Sequence, residues 1–283
     1  MQSQELLLGH SPDPDDAFMF YGLARNRIPT GRWRFRHVLQ DIQTLNERAK
    51  RGELHITAIS IHAYPHVADK YALLNCGASM GDGYGPLVVA RQPATIESLR
   101  GKRIAIPGEM TTAFLALNLL LGKGTFAHEV IMFDRILDHV AAGRADAGLI
   151  IHEGQLTYKK QRLHNVVDLG IWWQVETGLP LPLGGNAIRR DLGAYAMKEI
   201  AVILRRSIAY SLEHRAEAVD HALQYARDMG RDLADAFVGM YVNQWTLDYG
   251  ERGRLAIREL LGRAHAAGLV PDPGEIDFVE TEP

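Results

Sequence analysis

The sequence predicts an α/β protein whose two lobes face a common cleft. Three observations predict it. Short apolar runs alternate with helix-like ones through the first two-thirds of the 283-residue chain. The stretches "RGELHITAIS" and "AGRADAGLII" echo one another, each placing a glycine after a helical run and then a buried strand. From about Tyr195 the pattern turns helical almost to the end.

The elements follow in order. "ELLLGH" reads as a strand, and "DDAFMFYGLARN" as a helix opened by acids. "WRFRHVL" alternates as a strand does, and "DIQTLNERAKRG" is a helix that stops at Gly52. "HITAIS" is a strand, "HAYPHVADK" a short helix, and "YALLNCG" and "YGPLVVA" are strands on either side of a glycine-rich turn. A second set opens at "LRGKRIAIPGE": strand, helix "TTAFLALNLLLG", strand "HEVIMF", helix "FDRILDHVAAG", strand "AGLIIH". The late helices include "MKEIAVILRRSIAYSLEHR" and "ERGRLAIRELLGRAHAAG", with turns near Gly230 and Gly250. Lobe one is then 1–92 plus 186–283, and lobe two is the insert 93–185. The crossings near "RQPATIESLRG" and "TGLPLPLGG" form the hinge, because proline and glycine suit exposed connections.

Composition excludes several classes of function. Lys+Arg 31 against Asp+Glu 34 gives a net charge of −3, which attracts neither nucleic acid nor an anionic membrane. The single cysteine, Cys76, forbids an intrachain disulfide and lies in an apolar run, so an inert, packed thiol in a reducing cytoplasm is expected. The start "MQSQELLLGH" lacks the basic and apolar parts of a signal peptide, and no segment has the length of a membrane span. A cytoplasmic protein acting on a small molecule is expected.

The densest motif is "SPDPDDAF". Asp13 before Pro14 fits an N-cap with proline at the first helical position, and Asp15 and Asp16 then sit favourably in the first turn. The acids are expected to be structural, while Ser11 and the free N–H groups beside it, at the end of the first strand, are placed for a ligand. In "IPGEMTTAFLAL", Thr111 or Thr112 can cap the next helix, whose first N–H groups suit a carboxylate. An ordinary capped helix explains the threonines equally well.

In "GLIIHEGQLTY", His152 stands at a strand's carboxyl end, where it can be a general base or a histidine satisfied by the backbone. "HEGQL" is not a zinc-protease motif, since Leu156 replaces the second histidine. Pro65 between His62 and His66 spoils that pair as a metal site, and no metal is expected. "GDGYGP" precedes a strand, so it is a turn and not a dinucleotide loop. Trp172 and Trp173 fit core or hinge packing on a helix ending at Gly178.

"SPDPDDAFMFYGL", "DIQTLN", "ADKYALLNCGASMGDGYGP", "DAGLIIHEGQLTY", "ETGLPLPLGG" and "YVNQWTLDYGERGR" together make the chain similar to a known family. It resembles the 1,4-dihydroxy-6-naphthoate synthases of the futalosine route to menaquinone, and their sister family, the chorismate dehydratases. Both are similar in fold to type II solute-binding (periplasmic-binding-protein-like) proteins. The pieces "IIHEGQLTY" and "ETGLPLPLGG" favour the synthase branch.

The resemblance implies a two-lobed type II fold with the C-terminal helices packed on lobe one. It also implies a lyase without a cofactor that breaks a carbon–carbon bond of cyclic dehypoxanthinyl futalosine. His152 matches the family's base, which takes a proton from a sugar hydroxyl. The helix start at Thr112 and Ala113 matches the carboxylate site, and Asn46, Thr57 and Ser60 match further pocket positions. The implied partner is a small aromatic carboxylate. Asp13, Asp15 and Ala17 depart from the family's Cys, Asn and Thr. A chorismate dehydratase-like enzyme and a cytosolic aromatic-carboxylate-binding protein without catalysis are the alternatives.

Overall fold

The computed structural model describes residues 3–225 and 230–281. The chain opens with β1 (Gln4–His10), whose Leu6 and Leu8 are fully buried. Two short helices follow, α1 (Pro14–Met19) and α2 (Tyr21–Ala24), where the sequence pattern predicts one. The break falls at Phe20. Every residue from Pro14 to Leu23 is buried, and Phe20 at φ −96°, ψ 8° leaves the helical range inside that packed run.

Next come β2 (Trp33–Leu39), α3 (Ile42–Lys50), β3 (Ile56–Ser60), a 3-10 turn (Ile61–His66), β4 (Tyr71–Leu74), β5 (Ser79–Gly81) and β6 (Leu87–Ala90). Then follow β7 (Arg103–Ile106), α4 (Thr112–Leu121), β8 (Ala127–Val130), α5 (Ile136–Ala141), β9 (Ala147–Ile150), α6 (Gly154–Thr157), β10 (His164–Asp168), α7 (Leu169–Thr177) and β11 (Leu181–Arg189). The chain continues through α8 (Ala194–Glu213), α9 (Arg215–Ala222), α10 (Arg231–Tyr241), α11 (Gln244–Leu247) and α12 (Gly250–Ala266) to β12 (Phe278–Val279).

Two sheets result, one per lobe. The first runs β12-β4-β11-β3-β1-β2 with β5 on β11; the second runs β10-β6-β9-β7-β8. Read from β2 and from β8, the two share one plan. A parallel trio, β2-β1-β3 or β8-β7-β9, is followed by two successive antiparallel neighbours, β11 and β4 or β6 and β10. The echo noted in the sequence falls at matching places. Gly52 and Gly143, both left-handed at φ 68° and φ 74°, end α3 and α5 ahead of the fully buried β3 and β9. Helices α8 to α10 pack on α1 and α2, and α12 packs on β11, so the C-terminal third of the chain backs lobe one.

Three expectations need correcting. The stretch "LPLGG", expected in the hinge, belongs to β11, a central strand of the first sheet. Pro182 is tolerated because it stands at the register shift against β5, where the ladder is already interrupted. The chain changes sheets between β5 and β6 and returns between β10 and β11, so the divisions drawn at 92 and 186 each lie a few residues downstream of the change of sheet. The tail is not helical to its end either. β12 pairs parallel with β4, Phe278 opposite Leu73, along the outer edge of the first sheet.

At the crossings, backbone lies against backbone. Leu169 N–H donates to the Pro86 carbonyl at 2.9 Å, and Asp168 caps α7 by accepting from Gly170 and Ile171 N–H. Trp173 is fully buried, donating to the Pro180 carbonyl at 3.2 Å. Cys76 is buried as well, and burial pushes its thiol up to about 12, the inert state expected of it. Among the described residues no helix is long and apolar enough to cross a membrane.

Candidate active site

The carboxyl ends of β1, β3, β7 and β9 converge on a cavity of about 110 Å³ between the lobes, which is where open α/β sheets take ligands. Ser11, Ser60, Thr111, Thr112, Ala113 and His152 all line it. Asn46 and Thr57 do not. Asn46 lies one layer behind, fully buried, donating to Ser60 Oγ at 3.0 Å and accepting from Ser60 N–H at 2.9 Å. It also donates across the cleft to the Met110 carbonyl at 3.3 Å. Thr57 is fully buried too, its hydroxyl donating to the adjacent Ala58 carbonyl at 2.9 Å.

The two helix starts differ from simple caps. Thr111 does cap α4, accepting from Phe114 N–H at 3.3 Å while donating to the Gly108 carbonyl at 2.8 Å. Thr112 Oγ1 accepts from His62 N–H at 3.1 Å and donates to the Leu183 carbonyl at 2.5 Å, joining lobe two to lobe one. Both hydroxyls are therefore committed. The N–H groups of Thr112 and Ala113, the first two of the helix, are the donors a carboxylate can use, with the positive end of the helix dipole behind them. His62 sits behind them, its Nδ1 donating to the Thr111 carbonyl at 3.1 Å, and burial pushes its imidazole down to about 4, so it is neutral at pH 7.

Replacing Thr112 by the isosteric valine leaves the buried His62 N–H and the partly buried Leu183 carbonyl without this partner, and each such loss costs about 1–3 kcal/mol. Thr112→Val is expected to lower stability by about 2–4 kcal/mol in urea unfolding and to raise KM. Unchanged stability would mean that the hydroxyl does not join the lobes.

At the opposite wall Asp13 occupies the N-cap position of α1 with Pro14 after it, as expected, yet its carboxylate makes no cap hydrogen bond. It accepts from Ser11 Oγ at 2.6 Å, while its own N–H donates back to that oxygen at 3.0 Å. The same Oδ2 lies 3.4 Å from His152 Nε2 across the cleft. Asp16 accepts from Ser11 N–H at 2.7 Å. The acids expected to be purely structural thus form one wall of the site.

His152 follows β9 at φ 56°, a left-handed conformation rare outside glycine and asparagine. It turns the ring out of the strand direction, with the Phe133 ring edge-on at 4.7 Å. Its side chain keeps 16% exposure. Gln155, one turn on, accepts from Tyr241 Oη at 2.8 Å, a further buried bridge, here between lobe two and α10. Phe237 lines the cavity from the same helix.

Sequence reasoning missed Asp15, Asp16, Gln155, Phe237 and Tyr241. Phe237 and Tyr241 sit about 85 residues after His152, on a helix whose own pattern is that of an ordinary amphipathic one. Among the described residues no Lys or Arg lines the cavity, and no group of three His, Cys, Asp or Glu is placed to hold a metal. The site is therefore polar along one axis, with the helix start of α4 at one end and the acids at the other.

Comparison with known proteins gives three findings. A family model described as "Menaquinone biosynthesis" matches residues 6–266. Two curated proteins named 1,4-dihydroxy-6-naphtoate synthase are similar over nearly their whole lengths. The one from Thermus thermophilus is 44% identical over 271 residues, covering 95% of this chain and 98% of its own. The one from Streptomyces coelicolor is 40% identical over 278 residues, covering 97% and 98%. Among solved structures, a Candida albicans protein described as having the generic periplasmic binding protein fold superposes with a TM-score of 0.73 at 13% identity, covering 99% of both chains.

Proposed function

The chain belongs to the menaquinone biosynthesis family and has its two-lobed type II binding-protein fold, and on that premise we propose that it is a cytosolic lyase converting cyclic dehypoxanthinyl futalosine to 1,4-dihydroxy-6-naphthoate without a cofactor. The single observation that carries this reading is His152, turned into the cavity by its left-handed backbone and facing Asp13 at 3.4 Å, across from the anion-ready start of α4.

Asp13 is an acceptor only, so it favours the tautomer with hydrogen on Nε2 and leaves the lone pair on Nδ1. That nitrogen takes the proton of a sugar hydroxyl. The O–H electrons become a carbonyl bond, the adjacent carbon–carbon bond breaks, and its electrons pass into the ring system as it becomes aromatic. The Thr112 and Ala113 N–H groups hold the ring carboxylate meanwhile, and no lysine or arginine is needed for it. The cross-cleft bonds of Thr112, Asn46 and Tyr241 keep both walls in register. A small aromatic carboxylate suits a cavity of this shape and polarity, and a single buried thiol suits a reducing compartment.

Incubation of the purified chain with cyclic dehypoxanthinyl futalosine, followed by chromatography, tests the reading through the appearance of dihydroxynaphthoate. Turnover of chorismate alone would move the assignment to a dehydratase. Tight binding without product would move it to a sensor.

A further inference from the structure

Asp15 is used by none of these steps, yet it is the least satisfied group in the cavity. Its side chain lines the wall and its residue is 8% exposed. Among the described residues its Oδ1 is buried and has no hydrogen-bond partner. The charged and titratable groups around it are Asp13 and Asp16 from its own segment, His152 from lobe two and Tyr241 from α10. Arg215, on the helix packed against α1, is paired with Asp235 and lies over the Phe18 ring. Among the described residues no Lys or Arg faces Asp15, and His152 and the Asp16 N–H are the groups that favour its charged form. Asp16 differs in that its Oδ2 accepts from Ser11 N–H at 2.7 Å.

Resting on the reading of this cavity as the substrate site, we infer that Asp15 binds substrate as a neutral carboxylic acid, its free oxygen end donating a hydrogen bond to an uncharged carbonyl or hydroxyl oxygen of the ligand. Ionised, that oxygen would be a buried, unpaired charge beside two other carboxylates. Protonated, it is a donor whose acceptor has to come from the ligand. Burial and the Asp16 carboxyl both push the Asp15 carboxyl well above the usual carboxylate range, in agreement with that state. The substrate is thereby oriented, with its carboxylate at α4 and a neutral oxygen at Asp15, because three clustered carboxyl groups disfavour an anion at the acid end.

The test is kcat/KM for cyclic dehypoxanthinyl futalosine across pH in the wild type, Asp15→Asn and Asp15→Ala, using the full chain. The amide also donates but cannot ionise. Asp15→Asn is expected to stay within about threefold of wild type at acid pH and to lose the wild type's alkaline decline, while Asp15→Ala falls about tenfold, the worth of one hydrogen bond. Parallel alkaline limbs in wild type and Asp15→Asn, or a wild-type rate in Asp15→Ala, would overturn the inference.

If Asp15→Asn does not fold, isotope-edited infrared spectroscopy of the wild type reads Asp15 directly. A carbonyl stretch of a protonated acid at neutral pH is expected, and carboxylate bands alone would overturn the inference. If the wild type turns nothing over, the functional reading fails separately. Titration of 1,4-dihydroxy-6-naphthoate across pH then still tests Asp15, since its affinity should fall at alkaline pH in the wild type and not in Asp15→Asn.

Discussion

His152→Asn is expected to lower kcat by about 10²–10⁴-fold, the usual contribution of a positioned general base, with the fold intact. Asparagine is the informative replacement. It tolerates the left-handed φ of 56° that alanine would strain, so a loss of rate cannot be blamed on the backbone. It is polar enough to face Asp13 but has no basic nitrogen at neutral pH. A circular dichroism melt within about 3 °C of wild type, together with a collapse of single-turnover rate, is the expected pair of results. Undiminished turnover would remove His152 from the chemistry and leave the proton to one of the acids. Asp13→Asn should have the smaller effect, because it disturbs only the tautomer and the aim of the ring.

The second large effect falls on the fold. Gly170→Ala is expected to destabilise the chain by more than about 4 kcal/mol, a range reserved for a few severe mechanisms. A methyl group on Gly170 would stand 1.9 Å from the Tyr84 carbonyl oxygen and 2.6 Å from Gly85 N. Both are backbone, with no rotamer to move away. Gly85 has the reciprocal conflict, its added carbon 2.7 Å from Gly170 N. These two segments carry the chain into and out of lobe two, so relief requires the crossings to separate. A melting midpoint lower by roughly 10 °C or more, or failure to accumulate as soluble protein, is expected. A midpoint unchanged to within 2 °C would show that the crossings have slack.

The parts legible in the sequence were those written in local chemistry. The glycines closing α3 and α5, the Thr111 cap and the place of His152 at the end of β9 each follow from one short window, and the structure places them accordingly. Ser11 lines the cavity as that logic requires, whereas Ser60, which also lines it, was named through the family resemblance. Asp13 shows where local rules stop. Capping preference named its position on α1 correctly and its bonding incorrectly, because His152 and Ser11 compete for the carboxylate and neither preference is encoded in the capping pattern. Pro182 and two glycines spoke for a connection, whereas three partner strands along its two edges made β11 a strand. Tyr241 had no local signal at all; its meaning comes from Gln155, 86 residues away.

The two residues of β12 do more than extend a sheet. β4 is apolar and fully buried along its length, and β12 occupies the side that would otherwise face outward. An uncovered strand of that composition is a template for the same strand of another molecule. Phe278 and Val279 therefore act as a built-in chaperone for the edge, helped by Arg254 and Arg258 stacked over the Phe278 ring. A chain shortened to residue 275 should keep its cavity but gain a concentration-dependent association on sedimentation, so protection against edge-to-edge pairing depends on a segment that lies far from any chemistry.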